Sequence, residues 1–97
     1  MKYLGGMGVK VAVIGLGTSA ADVMLPEGTT ELLACCRRSL LPALRLMARE
    51  RGISIENGSN WMQADYVVVL WDGYDGDVAM KIKQCLSLGI PHQIHMI

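Results

Sequence analysis

The chain has 97 residues, of which 52% are hydrophobic and 19% are charged, and its nine basic and nine acidic side chains leave no net charge at pH 7. This composition is typical of one compact globular domain and excludes an extensively disordered chain. The zero net charge argues against nucleic acid or an anionic membrane surface as a partner. No apolar run reaches the roughly 20 residues of a membrane span, and the amino-terminal residues lack the apolar stretch of a signal peptide.

The first third of the chain predicts two strands with a loop between them. Residues 1–9 are rich in glycine and are predicted to form a flexible tail, followed by a single domain over residues 10–97. The apolar residues 10–15 predict a buried strand that ends in a Gly-Leu-Gly turn. Residues 18–29 contain Pro and Gly breakers and predict a loop with at most a short helix, before a second strand over residues 29–36.

A helix and a short strand are predicted next. Ser39 can cap the amino terminus of the helix, which runs to about Arg51 and is closed by Gly52. Residues 53–56 predict the third strand, and residues 57–60 have the composition of a turn.

Residues 64–73 contain the clearest strand signal. No residue between Tyr66 and Trp71 is charged, so the block lacks the alternation of a half-exposed strand. A continuous apolar and β-branched run is typical of a strand buried on both faces of a parallel sheet. Ligands of such sheets lie beyond the carboxyl ends of the strands, so Asp72 and Gly73 lie where a site is expected.

A second helix and a last strand complete the chain. Asp77 can cap the helix, Gly89 ends it, and residues 91–97 predict the strand. The predicted order is β-β-α-β-β-α-β with right-handed crossovers. It indicates an α/β fold, a small Rossmann-like three-layer sandwich with a mostly parallel five-stranded sheet.

The predicted first helix is apolar around most of its circumference. Its narrow polar stripe consists of Arg38, Pro42, Arg45 and Arg49. A helix of this kind is usually buried on two sides, so we predict a homodimer through the helix spanning about 40–51. The alternative is that the loop over residues 18–29 covers the second side.

The three cysteines, Cys35, Cys36 and Cys85, are an odd number without metal-ligand spacing. Reduced thiols of this kind are typical of a cytoplasmic protein, which is the predicted location. The adjacent pair is interpreted as two small side chains at the end of a strand, with a redox role as the alternative.

With these elements in place, the chain resembles the SLOG superfamily of Rossmann-like nucleotide-binding domains, in particular its small bacterial and phage members. That superfamily includes DNA-processing protein A and the LOG phosphoribohydrolases. The resemblance covers roughly residues 10–97, and its most specific part is Ala-Asp before the fourth strand together with Trp-Asp-Gly after it. The other matching segments are residues 10–15, 25–28 and 48–53. The resemblance implies a nucleotide site at the carboxyl ends of the strands.

Three loops depart from the pattern of these relatives. Where relatives have a phosphate-binding loop of the form Gly-Gly-Ala-x-Gly-x-Asp, residues 35–41 contain no glycine. Residues 15–17 read Gly-Leu-Gly instead of Gly-Ser-Arg, and residues 76–77 read Gly-Asp instead of Gly-Thr. Glycines let a backbone approach a phosphate closely, and a carboxylate at a helix start repels one. The departures therefore predict an eroded or repurposed nucleotide site.

Eight residues are predicted to surround a nucleotide or nucleotide-derived ligand. They are Gly15, Gly17 and Thr18 on one side, Arg37, Arg38 and Ser39 at the anion, and Asp72 and Gly73 at the rim. Two guanidinium groups can hold an anion where glycines no longer do. Two solvated arginines are the alternative interpretation of Arg37 and Arg38.

No metal site or catalytic residue is predicted. Asp72, Asp75 and Asp77 are interpreted as turn and cap residues, with a divalent-cation or ribose-hydroxyl site as the alternative. His92 and His95 are three residues apart in a predicted strand, so they point to opposite faces and do not share a metal.

The sequence favours a non-catalytic SLOG-type domain, and its cofactor, if it has one, is not identified. Two alternatives stay open. The first is a LOG-like enzyme that hydrolyses the N-glycosidic bond of a nucleotide, against which the absence of a glutamate at either predicted helix start counts. The second is a structural or interaction module that uses the apolar helix.

Overall fold

The computed structural model of the chain describes residues 8–21 and 23–97. Its strands are β1 (Val9–Gly15), β2 (Thr29–Cys36), β3 (Ser54–Asn57), β4 (Tyr66–Trp71) and β5 (His92–Met96), and its helices are α1 (Leu41–Arg51) and α2 (Gly76–Leu88). Short 3₁₀ turns lie at Arg38–Leu40 and Trp61–Gln63. The strands form one sheet in the order β3-β2-β1-β4-β5, and every neighbouring pair is parallel. The predicted Rossmann-like α/β fold is confirmed, with a sheet that is parallel throughout.

The two helices cover opposite faces of the sheet because side chains along each strand alternate. Val11 and Val13 of β1 pack in one core cluster with Leu44 of α1, whereas Ala12 and Ile14 pack in a second cluster with α2. All five side chains are fully buried. The apolar strands thus contribute side chains to two cores, one on each face of the sheet. The sequence predicts this, because these strands do not alternate between apolar and polar residues. Neither helix has the length and apolar character needed to cross a membrane.

The predicted flexible tail over residues 1–9 falls mostly on residues 1–7, which lie outside the described residues. Val9 is the first residue of β1, so the strand begins one residue before the predicted start. Val9 is buried, and its backbone N–H donates to the carbonyl of Gly28 at 3.1 Å. This bond draws the loop before β2 onto the start of the sheet.

The predicted capping role of Ser39 is wrong. Ser39 lies inside the 3₁₀ turn, and α1 begins after Leu40 without a side-chain cap. The N–H of Leu40 donates to the carbonyl of Arg37, so the tighter turn already uses the positions where a cap would act. At the other end Gly52 closes α1 with a φ of 66°, as predicted.

The predicted cap of α2 is also wrong by two residues. Asp75 is the cap, and its Oδ1 accepts from the N–H of Val78 at 3.0 Å. Asp77 lies in the first turn, where its Oδ2 accepts from Nζ of Lys81 at 2.8 Å. The helix starts early because Asp72 folds the chain sharply after β4, its Oδ1 accepting from the N–H of Asp75 at 2.9 Å.

The loop before β2 covers part of the second side of α1. Val23 is 3% exposed and belongs to the core cluster that contains Leu44 and Met47. Between this loop and α1 a shallow hollow of about 310 Å³ remains, and Leu46 at its border is 54% exposed. The surface left for another subunit is therefore small, and homodimerisation through α1 stays a prediction.

Candidate functional site

The candidate site lies at the carboxyl edge of the sheet. The chain leaves β1 toward β2 on one side, and it leaves β4 toward β5 on the other. In open parallel sheets ligands bind where neighbouring strands connect in opposite directions, which here is the crevice between β1 and β4. The residues that follow these two strands, and the end of β2 beside them, therefore determine what the edge can hold.

Gly15 ends β1 in a conformation that only glycine adopts easily. Its φ is 130°, and a Cβ at this position would overlap the carbonyl oxygen of Leu70 in β4. The same carbonyl accepts from the N–H of Leu16 at 3.1 Å, and the carbonyl of Gly15 accepts from the N–H of Arg37 at 3.0 Å. Gly15 therefore joins the exits of three strands through its backbone.

Ser39 is used to connect two loops. Its Oγ donates to the carbonyl of Gly17 at 2.9 Å, which ties the 3₁₀ turn after β2 to the loop after β1. Thr18 follows Gly17 and is exposed. The structure thus places Ser39 and Gly17 in contact, but through a bond that stabilises the loops rather than one that faces a ligand.

Arg37 is paired with an acidic side chain of its own chain. Its Nη2 donates to Oδ2 of Asp75 at 2.9 Å, and this bond connects the end of β2 to the start of α2. Arg37 is 64% exposed at its side chain and Asp75 is 17% exposed. An ion pair this exposed contributes little to stability, so a ligand anion can compete for the guanidinium.

Asp72 and Gly73 form the turn after β4. The carboxylate of Asp72 accepts from the N–H groups of Asp75 and Tyr74, and these bonds lower its pKa, since they favour the charged form. Gly73 has a φ of 88°, a region that favours glycine. The interpretation of Asp72 as a turn residue agrees with this geometry.

The acidic side chains of this edge do not converge on one point. Asp72 accepts backbone N–H groups, Asp75 caps α2 and pairs with Arg37, and Asp77 pairs with Lys81, which lowers the pKa of Asp77. Across residues 8–21 and 23–97, no group of three or more His, Cys, Asp or Glu side chains is placed to hold a metal.

Two adjoining hollows lie beside this acidic turn. The larger measures about 340 Å³ above the ends of β2 and β3, and the smaller measures about 200 Å³ between β1, β2 and the start of α2. Cys35, Cys36 and Lys81 line both. We call the two hollows together the β2 groove. It lies to one side of the β1–β4 crevice, whereas the sequence predicts a ligand over the ends of the first, second and fourth strands.

The charged side chains of the larger hollow are both basic. Arg38 and Lys81 line it, and no carboxylate of residues 8–21 and 23–97 does. The remaining wall combines apolar and small polar side chains, namely Ala34, Cys35, Cys36, Leu41, Asn57, Gly58, Ser59 and Trp61. A wall of this composition that includes two cationic groups suits an anionic ligand that also has an apolar part.

The two thiols of the β2 groove are held in the neutral form. Burial, together with a smaller effect of the neighbouring Cys36, raises the pKa of Cys35 to about 11. Burial also raises the pKa of Cys36. The thiolate is the reactive form of cysteine, so neither side chain is activated as a nucleophile at neutral pH.

We expect Cys35 to be alkylated by iodoacetamide far more slowly than an unstructured cysteine. A rise in pKa from 9.0 to about 11 lowers the thiolate population at pH 8 roughly 100-fold. Peptide mass spectrometry after timed labelling measures the rate at Cys35, with the urea-denatured chain as the reference. Equal labelling rates in the folded and denatured chains would contradict the neutral-thiol assignment.

The predicted site residues divide into two sets. Gly15 and Arg37 line the smaller hollow and Arg38 lines the larger one, whereas Gly17, Thr18, Ser39, Asp72 and Gly73 line neither. Lys81 was missed because the sequence does not specify which strand ends lie beside its side of α2. One signal could have found it, since Lys81 lies four residues after Asp77 and next to the apolar face of the helix.

Comparison with known protein families, with characterised proteins and with solved structures finds no match to this chain. The resemblance to the SLOG superfamily consequently stays a prediction. The fold rests on the structure alone, and a function has to follow from the geometry of the β2 groove.

Proposed function

We propose that the chain is a non-catalytic Rossmann-like domain that binds a nucleotide or nucleotide-derived ligand in the β2 groove. The observation that carries the proposal is that Arg38 and Lys81 line the larger hollow together with apolar side chains that include Leu41 and Trp61. Its volume of about 340 Å³ is within the range of small-molecule sites. The cations would hold a phosphate, and the apolar wall would contact the base or sugar.

The acidic turn after β4 explains why the ligand would lie beside the β1–β4 crevice rather than in it. A helix start that follows a strand is normally favourable for phosphate, because its free N–H groups carry partial positive charge. Here Asp75 already occupies the N–H of Val78, and Asp77 adds a second carboxylate in the same turn. The basic side chains of this edge instead lie at the end of β2. A site that has moved away from the helix start needs cations of this kind to bind an anion.

Binding without catalysis is supported by the state of the groups that could react. Hydrolysis of an N-glycosidic bond needs a carboxylate near the sugar, and in the described part of the chain none lines the larger hollow. Asp75 and Asp77 line the smaller hollow, where each is paired with a cation. The raised pKa of Cys35 and of Cys36 argues against a nucleophilic thiol.

Membership of the SLOG superfamily and a cytoplasmic location are part of the same proposal. The Rossmann-like fold is consistent with that superfamily, and the segments over residues 64–66 and 71–73 are the most specific resemblance. The free thiols of Cys35, Cys36 and Cys85 are consistent with a reducing compartment.

Thermal unfolding with a panel of nucleoside mono-, di- and triphosphates, with and without Mg²⁺, tests the proposal. A ligand at about 100 times its dissociation constant stabilises the folded chain by roughly 2.7 kcal/mol, which raises Tm by several degrees. We expect this increase with at least one nucleotide. If no nucleotide changes Tm, the interaction-module alternative is favoured instead.

Matched variants localise the binding. Arg38→Ala and Lys81→Ala should remove the nucleotide-dependent increase in Tm, because each deletes a cation of the larger hollow. Arg45→Ala and Lys83→Ala change the same residue types at exposed positions outside the β2 groove and should retain it. Release of free base from a nucleoside monophosphate would contradict the non-catalytic assignment and favour the LOG-like alternative.

A further inference from the structure

The strand β5 leaves one edge of the sheet open in the part of the chain that the structure describes. The N–H of Val67 donates to the carbonyl of Pro91, and the N–H of Ile97 donates to the carbonyl of Trp71. Backbone groups alternate in direction along a strand, so residues 91, 93, 95 and 97 face β4. His92, Ile94 and Met96 therefore direct their N–H and C=O groups away from the sheet.

This edge lacks the charged side chains that usually keep an edge strand from pairing with another chain. Residues 84–97 contain no Asp, Glu, Lys or Arg, although the chain has eighteen such residues. The opposite edge, β3, is a four-residue strand on which Glu56 is exposed. Charged side chains protect edges, so the β3 edge is better protected than the β5 edge.

Apolar side chains are exposed along the same edge. Ile94 and Met96 pair in register with Val69 and Trp71, so they lie on the face of the sheet that α2 covers. They are 42% and 62% exposed, and Leu86 of α2 is 68% exposed. Outward-facing backbone groups without charged side chains beside them, together with exposed apolar side chains, are typical of an interaction surface.

We propose that a second copy of this chain pairs antiparallel with β5 and joins the two five-stranded sheets into one. The outward-facing residues are symmetric about Ile94, so a two-fold axis there places Ile94 opposite the second copy's Ile94 and His92 opposite the second copy's Met96. Every outward N–H of one copy then meets an outward C=O of the other. The pairing brings no like charges together, because the strand contains no Asp, Glu, Lys or Arg.

The size of the edge predicts a weak dimer. A five-residue strand and its neighbouring side chains bury less than the roughly 800 Å² per partner of a standard interface. We therefore expect a dissociation constant in the micromolar range. Sedimentation equilibrium from micromolar to millimolar concentration should show a monomer–dimer equilibrium of the full chain.

Two lysine substitutions distinguish the surfaces that could form a dimer. Ile94→Lys places two like charges opposite each other and should make the chain monomeric, with a cooperative unfolding transition at low concentration that shows a folded monomer. Met96→Lys is a second edge variant with the same expected result. Leu46→Lys on α1 is the matched control at an exposed apolar residue and should leave the dimer intact.

A cysteine at the two-fold axis tests the register. Residues in a hydrogen-bonded antiparallel pair have Cα atoms about 5.5 Å apart, a separation that a disulfide spans. Oxidised Ile94→Cys should therefore form a covalent dimer, whereas the unchanged chain with its native thiols should not. A monomer at millimolar concentration, or dissociation by Leu46→Lys but not by Ile94→Lys, would overturn the proposal.

Discussion

Replacing Gly15 with alanine is expected to lower the free energy of unfolding by roughly 3 kcal/mol or more. Two costs combine at this position. The φ of 130° is unfavourable for a residue with a Cβ, and the added carbon would overlap the backbone carbonyl of Leu70. Because that carbonyl belongs to the centre of the sheet, it cannot move aside without separating β1 from β4.

Gly17→Ala is the matched control for Gly15→Ala. Gly17 also has a positive φ, of 105°, but the nearest atom to an added Cβ is Cδ1 of Ile97 at 3.4 Å, an ordinary contact. Only the conformational cost applies, and it is about 1–2 kcal/mol. Urea denaturation of the two variants measures the difference. Equal losses would show that the close approach of β4 does not determine the role of Gly15.

Leu44→Ala is expected to lower the free energy of unfolding by about 3 kcal/mol, within the range of 2–5 kcal/mol for buried leucines. Leu44 is fully buried between α1 and the sheet, in the cluster that contains Val13 and Leu32. Truncation removes apolar contacts and leaves a cavity, because neighbours on the sheet cannot close on it.

The same substitution at Leu46 provides the comparison. Leu46 lies two residues along α1 and is 54% exposed, so Leu46→Ala should change the free energy of unfolding by less than about 0.5 kcal/mol. Denaturant titrations at low and high protein concentration measure both variants. A loss at Leu46 that grows with concentration would indicate that α1 is buried against a second subunit, as the sequence predicts.

The order and type of the elements could be predicted because their signals are local. The uncharged run from Tyr66 to Trp71 predicts a strand with two buried faces, and Val67, Val68, Val69 and Leu70 are indeed at most 1% exposed. Gly52 and Gly89 end their helices with positive φ values, as their positions predict. These signals depend only on neighbours within a few residues.

The candidate site was less predictable, because its geometry depends on where helices begin and on which segments the sheet order brings together. Ser39 and Asp77 have side chains that commonly cap helices, but α1 begins after the 3₁₀ turn at Arg38–Leu40, and α2 begins after a turn held by the carboxylate of Asp72. Lys81 lies next to the buried face of α2 whichever residue caps the helix, since residues within a helix keep a fixed angular spacing. That Lys81 lines the β2 groove depends on which strand ends lie beside this face, and the pattern of α2 alone does not specify that.

The sequence by itself determined the α/β class, the number of strands and the burial of β1 and β4, because composition and periodicity act through local conformation. Only the tertiary structure decided the strand order, the position of the β2 groove and which strand is left at the open edge. It also decided which apolar residues of α1 are covered, since Leu44 and Leu46 differ in sequence only by position. These features depend on contacts between segments far apart in the chain, and no local pattern encodes them.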